Sequence, residues 1–127
     1  MVLVDTSVWI NHFRVTDRKL SELLECEEVL VHPFVIGELA CGNLRNRKSI
    51  VSLLYALPSA PRADDDEILF FIERHRIMGR GVGLIEAHLL ASCQLAKCSL
   101  WTADKKLQAV AKAVKIQSGQ AAFRIRR

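Results

Sequence analysis

The stretch Val2-Leu3-Val4-Asp5-Thr6-Ser7 decides how this chain reads. Three apolar residues follow one another without polar alternation, the pattern of a strand buried on both faces inside a parallel sheet. Asp5 ends the run, and Thr6 and Ser7 are suited to cap a short helix reaching Phe13. An acid at the carboxyl end of a buried parallel strand sits where open α/β sheets gather their ligand sites. Capping of the next helix is the competing role for Asp5.

Working outward, the same grammar repeats. Residues 17–27 carry Leu20, Leu23 and Leu24 on one helical side and acids on the other. Val29-Leu30-Val31 reads as a second buried strand, and Pro33 fits the first turn of a helix ending near Gly42. A basic stretch over 43–48 leads into a helix to about Leu57, and Pro58 and Pro61 mark a loop. Asp64, Asp65, Asp66 and Glu67 open a helix over 64–78, where their charge suits the positive end of the dipole. Gly79-Arg80-Gly81-Val82-Gly83 is a break before a helix over 84–97. Ser99-Leu100-Trp101-Thr102 is a third strand, 103–113 a helix, and Val114-Lys115-Ile116 an expected fourth strand. Strands alternating with helices predict a single α/β domain over 1–127, a three-layer sandwich. Its central, mainly parallel sheet would have four to five short strands with helices on both faces.

Composition supports one folded domain. Of 127 residues, 50% are hydrophobic and 25% charged, which excludes disordered and collagen-like chains. No apolar run approaches the roughly 20 residues of a membrane span, and no membrane association is expected. Met1–Asp5 lacks the basic lead of a secretory signal, so a cytoplasmic location is expected. Cys26, Cys41, Cys93 and Cys98 form no CxxC pair and read as reduced, mostly core-packed thiols. The net charge of +4 permits a polyanionic partner without demonstrating one.

Four acids stand out by position. Asp5 and Asp104 follow strands, and Glu86 lies in the first turn after the glycine break. Glu38 shares a helical face with Phe34, Val35, Leu39 and Gly42, which predicts a carboxylate on a buried stripe in need of a partner. A salt bridge for Glu38, a dipole role for Glu86 and capping by Asp104 are the ordinary explanations. Convergence is the other. The ends of strands one and three share one sheet edge, and close carboxylates there would repel by roughly 4 kcal/mol per pair at an effective dielectric of 20. Protonation or a divalent cation would relieve that repulsion. An all-oxygen set suits Mg²⁺, with Mn²⁺ as a substitute, better than zinc.

The segments Val4-Asp5-Thr6-Ser7-Val8-Trp9-Ile10, Gly37-Glu38-Leu39, Ala87-His88-Leu89-Leu90-Ala91-Ser92 and Leu100-Trp101-Thr102-Ala103-Asp104-Lys105-Lys106-Leu107 together resemble the PIN-domain family, and within it the VapC toxins of bacterial toxin–antitoxin pairs. The resemblance implies a metal-dependent endoribonuclease with Asp5, Glu38, Glu86 and Asp104 as its acidic quartet. Asp5 and Glu86 would hold the metal most directly, and Glu38 and Asp104 would complete the site or orient water. It also implies a homodimer, and a hetero-oligomer with a VapB-type antitoxin that obstructs the site. The family's third acid is usually Asp, whereas this chain has Glu86.

Further expectations concern the substrate. Arg45, Arg47 and Lys48, or Arg80, or Lys105 and Lys106 could meet RNA phosphates, and Arg124, Arg126 and Arg127 form a basic tail. His12, His32, His75 and His88 lack the paired placement of a His-based ribonuclease and are read as structural or surface residues. Thr6, Ser7 and Thr102 are expected to hydrogen-bond the carboxylates. A PIN nuclease in RNA processing outside a toxin system, or an inert PIN-like binding protein, are the alternatives. A phosphoacceptor domain fits poorly, since it would need an acidic pair where Asp5 stands alone.

Overall fold

The structure is a computed structural model that describes residues 1–118. Its elements are β1 (Val2–Val4), α1 (Thr6–Arg14), α2 (Arg18–Glu25), β2 (Val29–Leu30), α3 (Pro33–Cys41), α4 (Arg47–Ala56), α5 (Asp65–Arg74), α6 (Leu84–Ala96), β3 (Ser99–Trp101) and α7 (Lys105–Ala113). The basic tail Arg124, Arg126 and Arg127 lies outside the described residues.

The sheet is parallel with order β2-β1-β3. Val2 and Leu3 pair with Val29 and Leu30 on one side and with Ser99 and Leu100 on the other. Flanked by strands on both edges, β1 is wholly buried, as its unbroken apolar run requires. The chain leaves β1 toward β2 and then crosses back beyond β1 to β3. By the right-handed rule for parallel crossovers, two connections running in opposite directions lie on opposite faces of the sheet. The carboxyl ends of β1 and β3 therefore flank a topological switch point, where such sheets open a crevice.

The local signals account for the helices. Asp5, Asp17, Asp64 and Asp104 each accept from backbone N–H groups as caps, and Asp64 and Glu67 complete a reciprocal capping box. Pro33 opens α3 as expected, with the His32 ring nitrogen Nδ1 as its cap acceptor, 3.0 Å from the Phe34 nitrogen. The core gathers Leu3, Val4, Leu20, Leu23, Leu39, Leu54, Leu89, Leu90, Leu100 and Leu107 around the sheet.

Two expectations change. Val114–Ile116 is not a strand. Val114 caps α7, Lys115 turns left-handed at φ 64°, and Ile116 N–H returns to the Ala111 carbonyl. Only beyond that exit does the chain meet the sheet, at a single parallel bridge between Leu100 and Ser118. Among the described residues the sheet thus has three strands. The second change concerns Glu38, which is exposed. The buried residues of α3 are Val35, Ile36 and Leu39, so the core-facing stripe is rotated away from position 38. Helical periodicity allows either stripe, and packing against α1 and α4 selects one.

Candidate active site

Asp5 is the centre of the arrangement. It lies 8% exposed at the end of β1, and its carboxylate accepts three hydrogen bonds. The Thr6 N–H donates to Oδ1 at 2.8 Å, while the Ser7 and Thr102 hydroxyls donate to Oδ2 at 2.9 and 2.7 Å. A carboxylate offers about four lone-pair positions, so this bonding leaves one, on Oδ1.

The two hydroxyls are themselves oriented. Ala103 N–H donates to Ser7 Oγ at 3.0 Å, and Asp104 N–H donates to Thr102 Oγ1 at 3.1 Å. Each hydroxyl accepts from a backbone amide after β3 and donates its own hydrogen bond to Asp5. Such a chain polarises in one direction and fixes the rotor of each hydroxyl. Gln108 Nε2 donates to the Thr102 carbonyl at 2.8 Å, tying α7 back to the end of β3. Gln108 escaped sequence reasoning, though its place four residues after Asp104 puts it one turn into the same helix.

Glu38 joins through Thr6, whose hydroxyl donates to Oε1 at 2.7 Å. Thr6 therefore serves two acids, Asp5 by its amide and Glu38 by its side chain. No ion pair engages Glu38 among the described residues, so the salt-bridge explanation fails. Asp104 caps α7, with Oδ1 accepting from Lys106 N–H at 2.8 Å and Leu107 N–H at 3.3 Å. The helix-cap roles of Asp5 and Asp104 are thus real, and they coexist with membership of one network.

Glu86 stands apart from that network, in the first turn of α6. A Cβ on Gly83 would stand 3.1 Å from Glu86 Oε2, so the bare backbone at 83 makes room for this carboxylate. The preceding loop touches α7. Gly81, at φ +82°, approaches Lys106 so closely that an added Cβ would lie 3.0 Å from the lysine Cδ. The loop before α6 and the first turn of α7 are consequently in contact through the Lys106 stem.

The structure links the Asp5 and Glu38 carboxylates through Thr6, ties in Asp104 by its backbone N–H to Thr102, and leaves Glu86 outside that network in the first turn of α6. As the side chains stand, no three His, Cys, Asp or Glu residues among those described are gathered closely enough to hold an ion. The donor set still has the chemistry of a hard cation's site. It consists of carboxylate oxygens, with a lone pair left on the buried Asp5 and no sulfur or imidazole in the network.

The surroundings sort the basic candidates. Arg47 donates from Nη1 to the Ala40 carbonyl, which pins the start of α4 to α3. A cavity of about 760 Å³ between α1, α3 and the loop over 42–46 reaches Glu38 and is edged by Arg14 and Arg45. Three of the histidines make contacts that belong to the fold. His12 Nδ1 accepts from Asp17 N–H at 2.9 Å across the turn between α1 and α2. His32 and His88 are buried together against Phe34, with ring centroids 5.1 and 4.8 Å from it and 6.2 Å from each other, and the Arg62 guanidinium covers the Phe34 ring at 4.5 Å. Burial above all, then the charges of His88 and Arg62, pushes the His32 pKa down from 6.5 to about 4. Burial, then Arg62, lowers that of His88 against the opposing pull of Asp65.

No helix among the described residues is long and apolar enough to cross a membrane. Comparison with known proteins agrees with this geometry. The model of the PIN domain matches residues 2–113. Ribonuclease VapC32 of Mycobacterium tuberculosis is 46% identical over 110 residues, covering 86% of this chain and 89% of the relative. Among solved structures, a toxin–antitoxin complex from Klebsiella pneumoniae superposes with a TM-score of 0.65 at 19% identity, over 86% of this chain and 91% of the other. FitAcB from Neisseria gonorrhoeae superposes with a TM-score of 0.61 at 15% identity, over 93% and 96% of the two chains. With its acid-tipped central strand, parallel sheet and nearly full-length match, the chain belongs to the PIN-domain family, and within it to the VapC group.

Proposed function

We propose that this chain is a Mg²⁺-dependent endoribonuclease, the toxic partner of a toxin–antitoxin pair acting in the cytoplasm. The observation that carries the reading is Asp5. Its buried carboxylate, oriented by three donors and left with one lone pair, crowns the central strand of a chain 46% identical to a ribonuclease. Substrate RNA and a VapB-type antitoxin are the proposed partners, with a homodimer as the toxin's own assembly. The cavity reaching Glu38 supports both, since phosphates or an acidic peptide segment would meet Arg14 and Arg45 at its edge.

Asp5 and Glu86 would hold the cation, with Glu38 and Asp104 completing its surroundings. Mn²⁺ would substitute, having the same preference for oxygen. When bound, the ion supplies Lewis acidity that makes water a nucleophile at neutral pH, and charge that offsets the crowding of negative oxygens at phosphorus. The protein's own groups do the rest. Ser7 and Thr102 hold Asp5 to one rotamer, so its free lone pair keeps one direction. Thr6 fixes Oε1 of Glu38, leaving Oε2 to accept a proton from an attacking water. The Asp104 bonds all fall on Oδ1, which leaves Oδ2 for the same service.

Total cellular RNA incubated with Mg²⁺, with Mn²⁺ and with EDTA tests this, beside an Asp5→Asn control. Cleavage that needs the metal and drops at least a hundredfold in the variant is expected. A chelator-resistant pattern shared by the variant would overturn the reading.

A further inference from the structure

Four helices of this protein end in the same way. After α2, α5, α6 and α7 come Glu27, Arg76, Lys97 and Lys115, with φ of 56°, 52°, 54° and 64°. The N–H of the next residue then returns to a carbonyl five residues back: Glu28 to Leu23, Ile77 to Ile72, Cys98 to Cys93 and Ile116 to Ala111, at 2.8–3.1 Å. This closure brings the side chains of its two end residues together, and the contact is ordinarily apolar. In α5 and α7 it is, pairing Ile72 with Ile77 and Ala111 with Ile116. In α6 the paired side chains are two thiols.

Their settings differ. Cys93 is 1% exposed and directs its thiol to the Ser99 carbonyl at 3.7 Å, while Cys98 is half-buried. Both line a cavity of about 490 Å³, together with His75, Lys97 and Lys115. The Nε2 of His75 is buried without a partner among the described residues. The two lysines make the cavity attractive to anions. Hydrogen bonding with Cys93 holds the Cys98 thiol below its ordinary range, against the opposing effect of burial. The same interaction, then burial, pushes the Cys93 thiol up.

We infer that Cys98 and Cys93 form a reversible thiol–disulfide site for an anionic, low-molecular-weight disulfide, with Cys98 attacking first and Cys93 closing an intramolecular bond. The Cys98 thiolate attacks one sulfur of the small disulfide, forming a mixed disulfide and expelling one small thiolate. Cys93 then loses its proton and attacks Cys98 Sγ, expelling the second thiolate. Two cysteines are oxidised by two electrons, the small disulfide is reduced to two thiols, and the two cysteine protons end on those thiols. Access and thiolate character assign the attacking role to Cys98.

The test uses the full chain and oxidised glutathione as the probe, with acid quenching and alkylation in denaturant. Trypsin cuts after Lys97, between the two cysteines, so the bond appears as peptide 81–97 linked to peptide 98–105. That linked pair, reversed by dithiothreitol, is the expected main product. Cys93→Ala should accumulate glutathione on Cys98, and Cys98→Ser should slow oxidation of Cys93 at least tenfold. Cys98→Ala serves if the serine variant fails to fold by circular dichroism. Stable glutathione on Cys98 of the unmutated chain, full alkylation of both cysteines, or undiminished Cys93 oxidation without Cys98 would overturn the inference.

Discussion

Thr102→Val removes one oxygen from the centre of the Asp5 network and leaves side-chain volume nearly unchanged. Thr102 is 2% exposed, and its hydroxyl donates to Asp5 Oδ2 at 2.7 Å while accepting from Asp104 N–H at 3.1 Å. A hydrogen bond to a charged group contributes roughly 1.5–3 kcal/mol net, whereas the amide of Asp104, an exposed residue, is only part-buried and can turn to water. A loss of about 2 kcal/mol is therefore expected. Unfolding entropy of about 2.1 cal/mol/K per residue over this chain makes 1 kcal/mol worth roughly 4 °C, so Tm should fall by about 8 °C. Catalysis should suffer too. With Ser7 as the sole side-chain donor on Oδ2, the carboxylate can rotate, and RNA cleavage should drop on the order of tenfold or more by the loss of positioning. Calorimetry and a single-turnover cleavage assay measure the two effects. Ser7→Ala and the double variant complete a cycle, whose coupling should exceed about 0.5 kcal/mol because both donors share one oxygen. Unchanged Tm and unchanged cleavage in Thr102→Val would refute the idea that this hydroxyl holds Asp5.

Other outcomes follow from the same geometry. Glu86→Asp should retain cleavage while Glu86→Gln loses it, since charge beside Gly83 is what a cation requires; full activity in Glu86→Gln removes residue 86 from the site. Titration with Mg²⁺ should raise Tm of the unmutated chain and leave Asp5→Asn unmoved, by the preference of a ligand for the folded state; an equal rise in both would place the ion elsewhere. His32, held at about 4 rather than 6.5, stays neutral when folded and takes a proton when unfolded between those values. The unfolded chain then binds more protons, so the contribution is full above pH 6.5 and is lost as pH falls toward 4, by up to about 3 kcal/mol. Urea midpoints from pH 7.5 to 4.5 should show this slope, and His32→Asn, which keeps a cap acceptor for Phe34, should flatten it; parallel slopes would count against the burial argument.

Much of this protein is legible in one dimension, because strands and helix ends are decided by neighbours. Val2–Val4 is buried as its apolar run demands, and Asp64 with Glu67 caps α5 within four residues. The position of Asp5 at a strand end and of Glu86 in a first helical turn follows from the same short-range grammar. Sequence periodicity fails where two solutions are locally equal. At Glu38 it offered a buried stripe, and contact with α1 and α4 chose another, leaving the acid outside and within reach of Thr6. At Val114–Ile116 the apolar residues suited a strand, yet the left-handed Lys115 completed the exit of α7 instead.

The pairings that make a site lie beyond any local rule. Thr6 meets Glu38 across 32 positions, and Thr102 meets Asp5 across 97. The residues themselves determined which groups carry charge and which strand ends they occupy. Only the sheet order β2-β1-β3, which sets the ends of β1 and β3 side by side, decided that a hydroxyl from one would orient the carboxylate of the other. Hydrogen bonds act over about 3 Å, and chain-distant groups come that close only once the core has packed.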